Sequence, residues 1–292
     1  MQRLTSFVLG LFLLLGGLAT CLAQEKAEGL HQPPKVLVIA REFVKPGKAG
    51  MIHQKSESAF VQAFTTAKWP THYLAINSMS GKPRSLFLTG YDSFEAMEKD
   101  NRATEKNASL STALDRASLN DGELLSDFDQ GVFVYRDDLS LNAAADIPHM
   151  RYFEISAFHV KPGHEKEFEE LAKIYINAYS KVPDTHWATY EVAYGSLGNT
   201  VIVFSPLKTA SEIDHNFVQG KQIEEAMGED TMKRARELSA ACLESAQTNL
   251  FSFEPKMSYV PSEWAKADPA FWGQKPVMAA APKKAAETAK KQ

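Results

Sequence analysis

The chain repeats itself. Val44-Lys45-Pro46-Gly47 returns as Val160-Lys161-Pro162-Gly163, 116 residues on, each time after an apolar strand-like run at 36–43 and 152–159. Thr71-His72-Tyr73 returns as Thr185-His186-Trp187, and Gly81 as Gly195, both at a spacing of 114. The run Ser85-Leu86-Phe87-Leu88-Thr89 is answered at 116 by Val201-Ile202-Val203-Phe204-Ser205, and residues 132–135 at 118 by 250–253. Constant order and near-constant spacing mean that one unit must fold twice and bury its faces against something. With 292 residues, 44% of them hydrophobic, the chain has core enough for two such units.

Each copy reads as strand, helix, strand, strand, helix, strand. Pro-Gly ends the first strand, because proline removes a ladder donor and glycine tolerates the turn. Phe168, Leu171, Ile174, Tyr175 and Ala178 then recur at helical spacing, as do Ile52, Ala59, Phe60, Ala63 and Phe64 in the first copy. Pro70 and Pro183 close these helices. Two strands follow, joined near Gly81 and Gly195. The second helical region starts at the N-cap residues Ser93 and Thr209 and runs to about Asp127 and Ala246, with a break near Asn120-Asp121-Gly122. A last strand covers 131–136 and 249–254. Helices on one face of a four-stranded antiparallel sheet leave the other face bare, and a duplicated unit supplies the partner that covers it.

The strand, the Val-Lys-Pro-Gly turn, the amphipathic helix and the stretch Tyr91-Asp92-Ser93-Phe94-Glu95-Ala96-Met97 resemble the dimeric α+β barrel superfamily, nearest to its antibiotic-biosynthesis-monooxygenase-like and NIPSNAP-like domains. The resemblance covers residues 35–141 and 151–260. It implies an α+β fold of two tandem ferredoxin-like (βαββαβ) units whose sheets pack as a barrel within one chain, a pseudo-dimer able to stand as a monomer. It also implies a cofactor-independent monooxygenase as one function. The haem-degrading relatives carry a histidine early in the second helix; Asp100 and Asn216 stand there in this chain, with His215 one place away.

The termini carry an address. Arg3, an apolar run over 7–18 and Cys21-Leu22-Ala23 before Gln24 read as a signal peptide, residues 1–23, which sends the protein to the periplasm or out of the cell. The alternative reads Leu18-Ala19-Thr20-Cys21 as a lipoprotein box anchored through Cys21. No run is long enough to span a membrane. Cleavage leaves Cys242 alone, at helical spacing with Leu238, as a buried apolar residue without a disulfide. Residues 142–148 form a linker, Trp264, Phe271 and Trp272 pack a short segment back on the domains, and 276–292 is an Ala/Lys/Pro-rich tail too polar to fold. A net charge of −4 without a basic aromatic patch speaks against nucleic acid.

No His-Glu-x-x-His, Cys-x-x-Cys or glycine-rich phosphate loop occurs, so the sequence implies neither a metal nor a cofactor. Strand alternation offers the candidates instead. Placing Phe153, Ile155, Ala157, Leu74, Ile76, Ala188, Tyr190 and Val192 against the helices sends the opposite parity toward the barrel. Tyr73, Asn77, Tyr152 and Trp187 then line a ligand cavity, with Glu154 and Glu191 as candidate proton acceptors. The alternative is a filled interface between two sheets with the glutamates at its rim. Glu42 reads as a rim charge, and His72 and His186 as structural hydrogen-bonding groups. The functions in play are a carrier for a small apolar or aromatic molecule, the monooxygenase-like enzyme, and a non-catalytic envelope protein; the second copy, with Glu154, Trp187 and Glu191, is the better place for a site.

Overall fold

The computed structural model describes residues 29–195 and 198–274; the leader at 1–23 and the tail from 276 lie outside them. Pro-Gly turns the chain after the first strand of each copy, with Gly47 at φ 78° and Gly163 at φ 84°, where only glycine is unstrained. The first copy runs β1 (Val36–Val44), α1 (Met51–Ala67), β2 (Tyr73–Ser78), β3 (Arg84–Tyr91), α2 (Phe94–Lys106), α3 (Ala108–Gly122) and β4 (Leu125–Tyr135). The second runs β5 (Tyr152–Val160), α4 (Glu165–Tyr179), β6 (Ala188–Tyr194), β7 (Thr200–Leu207), α5 (Ser211–Met227), α6 (Glu229–Cys242) and β8 (Leu243–Phe253), followed by α7 (Ser262–Ala267) and α8 (Pro269–Trp272). No helix among the described residues is long and apolar enough to cross a membrane.

All eight strands close into one antiparallel barrel in the order β1-β3-β2-β8-β5-β7-β6-β4. The first copy contributes β2-β3-β1-β4 and the second β6-β7-β5-β8, joined at two seams where Ile76 faces Phe253 and Phe133 faces Val192. The segments after β4 and β8 cross to the other copy in matching ways. Ser140 Oγ accepts the Thr189 amide at 2.9 Å and Ser258 Oγ accepts the Ala75 amide at 2.9 Å; Leu141 bridges Trp187 while Tyr259 bridges Tyr73. Closure abolishes every sheet edge.

The two faces of the strands are the reverse of the sequence expectation. One apolar cluster takes Leu37 and Ile39, Leu74 and Ile76, Leu86 and Leu88, Phe133, Phe153 and Ile155, Tyr190, Ile202 and Phe204, Phe251 and Phe253, a contribution from all eight strands, which only the barrel interior can collect. Polar side chains of the opposite parity lie under the helices. Alternation separates two faces without labelling them, and the inside of a closed barrel, walled on every side by sheet, is the drier.

The second helical region is two helices in each copy; in the first the break falls at Asn107 and not near Asn120-Asp121-Gly122, where α3 ends, and the last strand of each copy starts six residues earlier than expected. Asn107 splits the first pair, its side chain accepting the Leu110 amide, and Gly228 at φ 78° splits the second. Ser93 caps α2 by accepting from Ala96, whereas α5 has Ala210 at its cap with no side-chain bond, Thr209 turning instead to Ser211. Cys242 is a free, fully buried thiol in a core with Leu238 and Phe168. Trp272 buries its ring and donates Nε1 to the Pro148 carbonyl at 2.8 Å, so the closing segment docks over the linker. At the β4–β6 seam Gly195 has φ 131°, and a Cβ there would lie 2.9 Å from the Gly131 Cα. Gly195→Ala is therefore expected to destabilise by about 1–3 kcal/mol, measurable by denaturant unfolding, because neither backbone can yield.

Candidate functional site

The middle of the barrel is filled by Ile76, Phe133 and Phe251, each at most 1% exposed. Two cavities open toward its mouths: about 510 Å³ lined by Leu37, Tyr190, Phe204 and Trp264, and about 460 Å³ lined by Arg41, Arg84, Asp129 and His159. The larger space lies outside the barrel, between the second sheet and its helices. There a cavity of about 810 Å³ is lined by Glu154, Tyr179, Trp187, Ser205, His215 and Phe217, among others.

Each wall of that pocket follows from local structure. Glu154 points to the helix side of β5, opposite Ser205 of β7 in register. Trp187 precedes β6 and is held by two backbone bonds with Leu141; its Nε1 donates to the Leu139 carbonyl at 3.0 Å. Tyr179, at the end of α4, meets the indole edge to face at 5.8 Å. Burial raises the Glu154 carboxyl above the ordinary carboxylate range, and among the described residues it has no hydrogen-bond or ion-pair partner. Burial likewise raises the Tyr179 hydroxyl, with Glu154 contributing. The site thus offers a proton acceptor beside two aromatic rings.

The first copy places something quite different under its helices. Glu42 of β1, His53 and Glu57 of α1 and Asp121 of α3 are all buried, with their ligand-type atoms within 4.8 Å of one another. His53 Nε2 stands 3.0 Å from Glu42 Oε2, 3.6 Å from Asp121 Oδ1 and 3.8 Å from Glu57 Oε1. Desolvation raises Glu42, and raises Glu57 further, the charges of Glu42 and Asp121 adding to it. Ser85 Oγ lies 3.4 Å from His53 Nδ1 and donates to Asn77 Oδ1 at 2.6 Å; Asn77 Nδ2 reaches Glu254 of the second copy at 3.3 Å.

The residues singled out from the sequence separate accordingly. Glu154 and Trp187 meet in the second-copy pocket. Tyr152 shares the Glu154 parity but does not line that pocket. Glu191 lies half-exposed, bound to Arg136 Nη1 at 2.6 Å within a surface network with Asp138 and Glu169. Tyr73 and Asn77 belong to the other copy's cluster, so the six form no single site. His72 stacks on Tyr259 at 4.7 Å and His186 Nδ1 bonds the Asp184 carbonyl at 2.8 Å. Glu42 is no rim charge: it is 8% exposed and faces the helices.

The buried tetrad escaped the sequence reading because its members lie far apart in the chain. Two signals pointed to it. His53 and Glu57 are one helical turn apart on a face that must pack, and Glu42 and Ser85 stand where the second copy has Phe158 and Val201. The structure confirms that equivalence of position, since Glu42 pairs with Ser85 and Phe158 with Val201 in the two ladders.

No family model matches the sequence, and no curated protein resembles it. Solved structures do resemble its fold. They include a monooxygenase-like protein from Fusobacterium nucleatum (TM-score 0.49, 14% identity, 76% of this chain and 94% of that one) and an anthrone oxidase-like protein (0.48, 14%, 75% and 91%). A chlorite dismutase from Candidatus Nitrospira defluvii aligns at 0.44 and 11% identity over 86% of this chain and 99% of that one. The α+β barrel class of this chain rests on its own strand pairing, and its chemistry on its own residues.

Proposed function

We propose that the protein is an exported, tandem ferredoxin-like barrel of the antibiotic-biosynthesis-monooxygenase-like kind that captures a small aromatic molecule between its second sheet and α4 and α5. One observation carries this reading: a partnerless Glu154 carboxylate in a cavity of about 810 Å³ beside Trp187 and Tyr179. A flat ring stacks on the aromatic wall, and its hydroxyl or acidic C–H meets the carboxylate. A carboxylate raised by burial is a better base than one in water. The same group would begin a cofactor-independent oxygenation, which starts with removal of the substrate's proton.

Quenching of tryptophan fluorescence tests the pocket with 2-naphthol and with 2-methoxynaphthalene, which lacks the acidic proton. The naphthol is expected to bind about 10-fold or more tighter than the ether, as a hydrogen bond to a charged group allows. Glu154→Gln, which keeps an acceptor but loses the charge, is expected to cut that preference to about 2–3-fold, and an undiminished preference would sink the reading. An oxygen electrode run on the same mixtures separates carrier from catalyst.

Stability supplies an independent readout. Because the folded Glu154 carboxyl is raised, the native state is penalised as pH climbs from the unfolded value through the folded one. Glu154→Gln is therefore expected to melt higher than the parent chain at pH 7, and the difference should vanish below about pH 4, where both states hold the proton.

A further inference from the structure

We propose that Glu42, His53, Glu57 and Asp121 hold one first-row divalent cation of the Zn²⁺ or Mn²⁺ class in a closed structural site that ties β1 to α1 and α3. Four ligands about 2.1 Å from one ion stand about 3.0–3.4 Å apart in octahedral or tetrahedral geometry, and the imidazole nitrogen here is 3.0, 3.6 and 3.8 Å from its three carboxylates. Three carboxylates and an imidazole suit a borderline cation better than calcium or magnesium.

Several independent features ask for a positive charge at that point. Both oxygens of Asp121 and Glu57 Oε1 are buried with no hydrogen-bond donor from outside the cluster, in residues 1% and 2% exposed, so they face only one another and His53. The Tyr73 hydroxyl is also buried without a partner. Among the described residues no lysine or arginine pairs with any of the three acids. Asn77 Nδ2 donates to Glu254 and to Met257 Sδ, its Oδ1 accepts from Ser85, and Ser85 is left to accept from His53 Nδ1. Nε2 then faces Glu42 Oε2 at 3.0 Å, a separation that either a shared proton or a cation bridges, and a cation would neutralise Asp121 and Glu57 as well.

The second copy serves as an internal control, because the same space there is closed by Phe158, Phe168, Leu171, Val201, Leu238 and Cys242. The fold does not require polar groups in that place. Since all four side chains are at most 10% exposed, no coordination position opens to solvent, as in a structural rather than a catalytic site. This inference does not rest on the second-copy pocket.

The test is elemental analysis of the protein purified without a metal-affinity tag, with thermal melts before and after dialysis against a chelator. About one zinc or manganese per chain is expected. Chelation should lower the melting temperature, and ZnCl₂ or MnCl₂ about 100-fold above its dissociation constant should raise it by about 5–10 °C. Asp121→Asn should carry no metal and show no shift; should that variant fail to fold, the parent chain's metal content and chelator response decide. The proposal is overturned by a chain with far less than one metal whose melting ignores both chelator and salts, by Asp121→Asn retaining the metal, or by a response to CaCl₂ alone.

Discussion

Phe133→Ala is expected to lower the unfolding free energy by about 3–5 kcal/mol, read from urea unfolding at an unchanged slope. Phe133 is 1% exposed and lies on the inner face of β4 at the seam with β6, paired with Leu37 on one side and Val192 on the other. Its ring also lies over Gly131, where an added Cβ would sit 2.7 Å from Phe133 Cε2. Removing the ring leaves a hole that no neighbour fills, because the barrel wall is fixed by hydrogen bonds on every strand. An exposed aromatic such as Phe217 gives the contrast: truncated to alanine it should stay within about 0.5 kcal/mol.

His53→Ala is expected to be comparably damaging, at about 3–5 kcal/mol and a fall in melting temperature on the order of 10 °C. The imidazole is 3% exposed and stands within 3.8 Å of three buried carboxyls, so its loss leaves them facing one another with no nitrogen between. Differential scanning calorimetry measures the effect. Replacing the whole polar set with apolar residues of the kind the second copy uses, with Glu42→Phe and Ser85→Val among them, should recover most of the loss, since buried ionic clusters rarely stabilise more than a packed apolar core. A His53→Ala protein as stable as its parent would mean that the cluster contributes nothing to the fold.

Ser93 and its stretch to Met97 were legible because a cap and its helix are four residues of local chemistry. Asn107 and Gly228, which break the second helical regions, carried equally local signals and were overlooked. Glu154 and Trp187 were found together, although for a cavity on the wrong side of the sheet. Glu191 looked like their companion until Arg136, 55 residues earlier, proved to hold it at the surface.

The repeat, its strand and helix order and its need for a second sheet were determined by sequence alone, because duplication and hydrophobic period are properties of the chain itself. Which face of each strand became the interior was decided only by closure. A period of two residues defines two faces symmetrically, and only the packing of helices outside and of eight strands around one axis breaks that symmetry. The meeting of Glu42, His53, Glu57 and Asp121 is likewise tertiary. Seventy-nine residues separate the first from the last, and no local rule of the chain foretells that a strand and two helices will bring four titratable groups within 4.8 Å of one another.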